Sequence, residues 1–225
     1  MKNTLKFLFI LLSLHTSHSQ GIYLNQKLDP ISTGALFLED NNKYKKVEGT
    51  PYISEKFMLG NIGNSTQNLL FRYNAESDEI EIKFKGDSIF VLPKNSKMST
   101  ISFDNKKYVL SKYKSAKDDY IDGYLIELYK GKIELYKREK IQIKEARPAT
   151  NNYEIDRPAK FEKIKDEFYW SASGNLEIMP NNKKKVIEFF PLHKEKLNDF
   201  FKNNNISFSN EKDLTNLIKF IESIL

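Results

Sequence analysis

A chain of 225 residues with 40% hydrophobic and 29% charged side chains has the balance of a folded globular protein, long enough for one large domain or a domain with a small appendage. The absence of cysteine excludes thiol nucleophiles, thiolate zinc sites, iron–sulfur clusters and disulfides. The formal charge of +6 rests on lysine: only Arg72, Arg138, Arg147 and Arg157 carry the planar fork that reads phosphate and guanine, which argues against nucleic-acid recognition.

Residues 1–19 read as a signal peptide rather than as fold. Lys2 and Lys6 make a basic start, residues 7–14 (FLFILLSL) are apolar, and Ser17 and Ser19 suit cleavage before Gln20. The apolar run is too short to span a bilayer as a helix, no cysteine follows it to carry a lipid, and no later stretch is long and apolar enough to cross. Removing it takes away Lys2 and Lys6 and no acid, so the formal charge falls from +6 to +4. His15 and His18 leave with it. A histidine-rich metal site is then excluded, and a Ser–His–acid triad would rest wholly on His193.

Residues 20–145 read as an antiparallel β portion, with aromatics at 13% and few breakers. A short strand is expected within 31–39, and a solvated turn at Glu39-Asp40-Asn41-Asn42, which lacks the glycine and terminal glutamate of a calcium loop. Residues 44–47, 49–54 and 57–62 are expected strands. The clearest pattern is NLLFRYNAESDEIEIKF at 68–84: two strands around a polar break at 74–78, with Ile80, Ile82 and Phe84 alternating with Glu81 and Lys83. That alternation predicts a strand buried on one face only. A turn at 85–87, a strand at 88–92, and strands at 98–103 and 107–110 around Asp104-Asn105 complete a meander that curls into a sandwich or open barrel.

Residues 111–122 read as a mobile polar loop, with Tyr113 and Tyr120 as candidate partner contacts. In 123–145, IELYK at 126–130 recurs at 133–137. Two copies are too few for a coiled coil, so a hairpin turning at Lys130-Gly131 is expected, its second strand running on through Ile133, Leu135, Ile141 and Ile143. Arg147-Pro148-Ala149 recurs as Arg157-Pro158-Ala159. Each proline favours extended backbone, so 146–160 reads as a connector between the β portion and the rest. Arg147 and Arg157 have two readings: pairing with acids such as Glu154 and Asp156, or forming a fork for an anionic ligand.

Residues 161–225 read as a terminal hairpin and a helical segment packed on the sheet. The hairpin joins 161–171 to 176–179, and its Trp170 is a candidate sugar or peptide contact as well as a candidate core residue. Three short helices follow: 181–190 capped by Asn181 or Asn182; 192–202 after Pro191, with Leu197, Phe200 and Phe201 on one stripe; and a last one capped by Ser209, carrying Leu214, Leu217, Ile218, Ile221 and Leu225. His193 reads as a solvated residue. The expected class is α+β: an antiparallel meander forming a curved sheet, open barrel or sandwich, then about three short α-helices.

GTPYIS (49–54), LLFRYNAESDEIEI (69–82), GYLIELYKGKIELYKR (123–138), EARPATNNYEIDRPAKF (145–161) and the helical tail follow one another in an order that resembles a group of uncharacterised exported proteins of Bacteroidota. The resemblance implies an exported bacterial protein and transfers no site residue.

The chain lacks a glycine-rich phosphate loop, a GxSxG elbow and an HExxH motif. The leading expectation is a non-catalytic binding or interaction module of the periplasm or cell surface, with no cofactor and with an envelope protein or small ligand as partner. A carrier of an apolar ligand between sheet and helices is the alternative. A hydrolase using two carboxylates is the third reading, with Glu76, Asp78, Glu79, Glu81, Asp118 and Asp119 as candidate acids. Export carries its own test. N-terminal sequencing of the protein isolated from cells should begin at Gln20, whereas Met1 on a cytoplasmic form would overturn the localisation.

Overall fold

The computed structural model describes residues 37–38, 43–83, 88–94, 100–151 and 153–225. Residues 1–19, read as a signal peptide, most of the strand expected at 31–39, the turn at 39–42, Phe84 with the turn at 85–87, and Met98 and Ser99 lie outside them. The strands are β1 (Phe37–Leu38), β2 (Met58–Ile62), β3 (Leu69–Asn74), β4 (Glu79–Lys83), β5 (Ile89–Val91), β6 (Thr100–Phe103) and β7 (Lys106–Lys114). There follow β8 (Tyr120–Tyr129), β9 (Leu135–Arg138), β10 (Ile141–Lys144), β11 (Lys160–Lys163), β12 (Glu167–Trp170) and β13 (Glu177–Ile178). Three helices close the chain: α1 (Lys183–Phe189), α2 (Lys194–Asn203) and α3 (Glu211–Ile224).

Eleven strands make one antiparallel sheet in the order β1-β5-β4-β3-β2-β6-β7-β8-β9-β12-β13, and β10 pairs with β11 apart from it. The α+β meander with terminal helices is therefore the architecture. Asp104 and Asn105, with φ of 53° and 55°, give the β6–β7 turn the left-handed backbone that suits a twisted hairpin. Lys114 N donates to Leu176 O at 2.9 Å, which brings the chain before β13 back against the end of β7. Strands β7, β8, β9, β12 and β13 thereby wrap around Tyr113, Leu125, Tyr136 and Tyr169.

The other face carries two apolar clusters. One, built on Phe71, Ile80, Ile82, Ile101, Phe103 and Tyr124, is covered by Ile53, Ile141 and Phe161. In the second, Ile133, Leu135, Phe168 and Trp170 meet Val186, Leu197, Leu214, Leu217, Ile218 and Ile221 from the helices. Between the clusters lies a charged seam. Lys137 Nζ reaches Glu139 at 3.0 Å and Glu211, at the start of α3, at 2.6 Å, while Lys106 reaches Glu139 at 2.9 Å.

Several expectations change. The polar break at 74–78 is the turn between β3 and β4 that the pattern predicts, but Asn74, Ala75 and Asp78 in it are buried. The register that pairs Ile126 with Lys137 would set Glu139 opposite Tyr124, but β9 ends at Arg138 and the chain leaves for β10. Asp78 fills the notch. Its carboxylate accepts the Tyr124 amide at 3.2 Å, the Tyr73 hydroxyl at 2.8 Å and Lys94 Nζ at 2.7 Å. Gly123 makes room for it, since a Cβ there would lie 2.5 Å from Asp78 Oδ2. The polar side of β4 is covered as well. Glu81, 1% exposed, accepts from Arg72 Nε at 3.0 Å and Tyr52 at 3.0 Å, and Arg72 lies over the Tyr52 and Phe57 rings.

Residues 111–122 are mostly ladder, with β7 reaching Lys114 and β8 starting at Tyr120, because seven cross-strand pairs run from Tyr108 to Lys114. The long strand expected from Ile133 to Ile143 is split between β9 and β10, and 161–171 is split between β11 and β12. Residues 44–47 hold a turn, and 48–54 offer only the isolated bridges Glu48–Lys160 and Tyr52–Asn74. In the tail, Asn182 caps α1 through Lys185 N as expected. Pro191–His193 forms a 3-10 turn before α2, and Asn210 rather than Ser209 caps α3, accepting from Lys212 and Asp213 amides, while Ser209 bonds Ser207. Leu225 is exposed, past the end of the α3 stripe.

Two measurements test this frame. Asp78→Ala leaves a buried amide and hydroxyl without an acceptor and should lower stability by about 3–5 kcal/mol in urea unfolding, with Asp78→Asn costing less; a loss below about 0.5 kcal/mol for the alanine variant would remove the strand-replacing role. Burial pushes the Glu139 carboxyl up, but hydrogen bonds and charge from Lys106 and Lys137 outweigh it and hold the group below the ordinary carboxylate range. With the folded value below the unfolded one, the stabilisation is complete at neutral pH and is lost as acid protonates the folded carboxylate below about pH 4. Glu139→Gln should cost about 3 kcal/mol at neutral pH, and its deficit should shrink in acid; a deficit constant with pH would contradict the seam.

Candidate functional site

The two Arg-Pro-Ala copies face each other. Strands β10 and β11 pair Ile141 with Lys163 and Lys144 with Lys160, and the same register continues to an isolated bridge between Arg147 and Arg157. Arg147 N donates to Arg157 O at 2.8 Å and Arg157 N returns the bond to Arg147 O at 2.9 Å. The two halves of the segment read as a connector pair with each other as the far end of a hairpin arm spanning 141–163.

Ladder hydrogen bonds run through the pair Lys140 and Ile164 near the base and through Arg147 and Arg157 beyond it, with an interruption between them where Pro158 has no N–H to give. Arg147, Arg157, Lys144 and Lys160 all line one cleft of about 420 Å³. Glu48, Glu145 and Asp156 contribute carboxylates to its walls. A smaller cleft of about 150 Å³ lies on the tip side, lined by both arginines with Pro148, Tyr153, Glu154 and Ile155.

The acids expected to neutralise the arginines do something else. Asp156 Oδ1 accepts the Ala149 amide at 2.8 Å. Glu154 Oε2 accepts the Thr150 hydroxyl at 2.8 Å and the Thr150 amide at 3.1 Å, bonds that hold its carboxyl below the ordinary range. Asn151 Oδ1 accepts the Tyr153 amide at 2.9 Å. The tip is thus a set of side-chain-to-backbone turns. Among the described residues, no carboxylate lies within ion-pair distance of either Arg147 or Arg157, and Lys144 has only Glu162 at 3.9 Å. Tyr153 and Ile155 stand out from the tip at 99% and 81% exposure.

The other sequence-predicted site residues do not join the arm. Tyr113 is fully buried, edge-on to Tyr169 at 4.6 Å, because it belongs to a strand and not to a loop. Trp170 is fully buried against Phe189 and Phe190. Tyr120 is half-exposed at the start of β8. Among the candidate acids, Glu76 accepts from Tyr44, Glu79 from Ser77 and Glu81 from Arg72; Asp78 is the plug described above; Asp118 pairs with Lys114 at 2.8 Å; Asp119 is exposed. His193 ends the 3-10 turn, half-buried. Lys144, Lys160, Tyr153 and Ile155 escaped the sequence reading. The signal for them was the ten-residue repeat itself, which places two identical tripeptides where a hairpin would set them opposite each other.

The chain matches no protein-family model, no curated protein and no solved structure, so the arm is weighed on its own geometry.

Proposed function

We propose that the protein is an exported, non-catalytic binding module of the cell envelope that holds an anionic group on the Arg147–Arg157 pair. The observation that carries this reading is the direct opposition of two arginines while Asp156 and Glu154, the acids beside them on the tip, bond the Ala149 amide and Thr150. Like charges directly opposite on a ladder destabilise it. An anion between the two guanidiniums turns that repulsion into paired, charge-assisted hydrogen bonds, and Lys144 and Lys160 extend the positive wall of the same cleft.

The other readings have less support. Trp170, Phe190, Leu197, Leu217 and Ile218 occupy the space between sheet and helices where a carried apolar ligand would lie. The best-placed buried acids, Asp78 and Glu81, are held by cations and amides that the fold itself needs.

Inorganic phosphate and citrate are suitable probes. Either should raise the thermal midpoint of the protein saturably, by a few degrees, at millimolar concentration. The double variant Arg147→Gln/Arg157→Gln should lose that response while being no less stable than the parent without anion, since it removes a repulsion. Lys184→Gln, on an exposed pair of α1, should respond like the parent. Equal stabilisation of the parent and the double variant would remove the arm from the function.

A further inference from the structure

We propose that the arm docks tip-first on an anionic membrane surface, a reading that rests on the anion site above and names its source as the phosphates of lipid headgroups. The arm is ordered in depth. Tyr153 and Ile155 stand at the tip, Arg147 and Arg157 lie next, and Lys144 and Lys160 lie behind them. Each basic pair is three residues from the next, about 10 Å of extended chain. A bilayer surface presents matching layers. Its headgroup–acyl boundary accepts tyrosine and aliphatic side chains to a depth of about 5–10 Å. The phosphates lie just outside that boundary, and the anionic surface potential reaches beyond them over about a Debye length.

The tip is also built to hold its shape outside the core. Asn151, Glu154 and Asp156 each accept a backbone amide of the tip, which offsets part of the charge of the two acids and leaves the two large apolar side chains pointing out. Side chains as exposed as Tyr153 and Ile155, at the end of an arm whose two arginines have no acidic partner among the described residues, match a surface that is apolar and anionic together. A protein partner would have to supply both an acidic and an apolar contact to so narrow an element.

The test puts a reporter at the tip. Tyr153→Trp is introduced into the protein purified after expression with its own leader; the buried Trp170 supplies a constant background. Mixed phosphatidylglycerol–phosphatidylcholine vesicles should shift the emission of residue 153 to the blue and carry the protein up in a flotation gradient, while phosphatidylcholine alone should do neither. Arg147→Gln/Arg157→Gln should weaken vesicle binding more than about tenfold, and Ile155→Ser should weaken it as well. Flotation without a shift at residue 153 would place the contact elsewhere and overturn the proposal. Stabilisation by phosphate with no response to vesicles would overturn the membrane reading and leave the anion site standing; loss of both responses would end both. A shift caused by polyglutamate at lower concentration than by vesicles would reassign the arm to an acidic protein partner and likewise overturn it.

Discussion

A single carboxylate lets this sheet lose a strand without opening. Strand β9 ends at Arg138, and the chain departs to build β10, the arm and β11 before returning as β12. The departure would leave the Tyr124 amide buried and unpaired, at a cost comparable to a lost hydrogen bond with none of the compensation of solvent. Asp78 supplies the missing acceptor from a turn 46 residues upstream and is fixed from the other side by Tyr73 and Lys94. Its left-handed backbone, at φ 57°, is one that aspartate tolerates better than most residues. The same turn receives the returning chain, since the Ile141 amide donates to Ala75 O at 3.2 Å. The root of the arm and the plug of the sheet are thus one contact region.

Charge is handled in two opposite ways in this molecule. Among the described residues, the buried charged side chains Asp78, Glu81, Lys137 and Glu139 are each paired. Glu81 takes Arg72 and Tyr52, Glu139 takes Lys106 and Lys137, and Lys137 passes on to Glu211 and so ties the first turn of α3 to the sheet. Breaking one partner of such a pair strands the other in a poorly solvated place, so these residues are constrained by the fold. On the arm, Arg147 sits opposite Arg157, and Glu154 and Asp156 accept backbone amides instead. Fold stability gains nothing from that arrangement, and the contrast is the physical reason for locating function there.

The meander and the terminal helices were legible because their signals are local. Alternation at Ile80 and Ile82, the Asp104-Asn105 turn, the Asn182 cap and the Leu214–Leu217–Ile218–Ile221 stripe each follow from a few neighbouring residues. What stayed hidden was everything decided by a distant partner. Nothing in SDEIE reveals that Asp78 will meet Tyr124, or that Tyr52 and Arg72 will cover Glu81. The regular odd-position spacing from Ile133 to Ile143 conceals a change of sheet at Glu139, because a strand that switches sheets keeps its period of two. Tyr113 was misplaced for a related cause: lysines and aspartates flanking a tyrosine read as loop, yet a ladder with one face closed by the curling sheet produces the same composition. The repeat of Arg-Pro-Ala was visible, but not the cleft that its two arginines share with Lys144 and Lys160.

An element that binds through its tip must be stiff at its root, or the ordering lost on contact offsets what the contact yields. The arm meets that condition from both sides. Strand β11 is bonded to β10 along four residue pairs, its outer edge takes Glu48 through the Phe161 amide, and the Glu48 amide in turn donates to Ala159 O at 2.9 Å. Tyr44 packs edge-on against Phe161 at 5.0 Å and reaches back to Glu76 in the plug. The stretch from Tyr44 to Glu48, which forms no strand of the main sheet, therefore braces the arm against the turn that carries Asp78. Beyond Arg147 and Arg157 that bracing ends, and the tip keeps only its own side-chain-to-backbone bonds. Rigidity stops where the unpaired cations and exposed apolar side chains begin, which is the division a docking arm requires between the part that holds position and the part that meets its target.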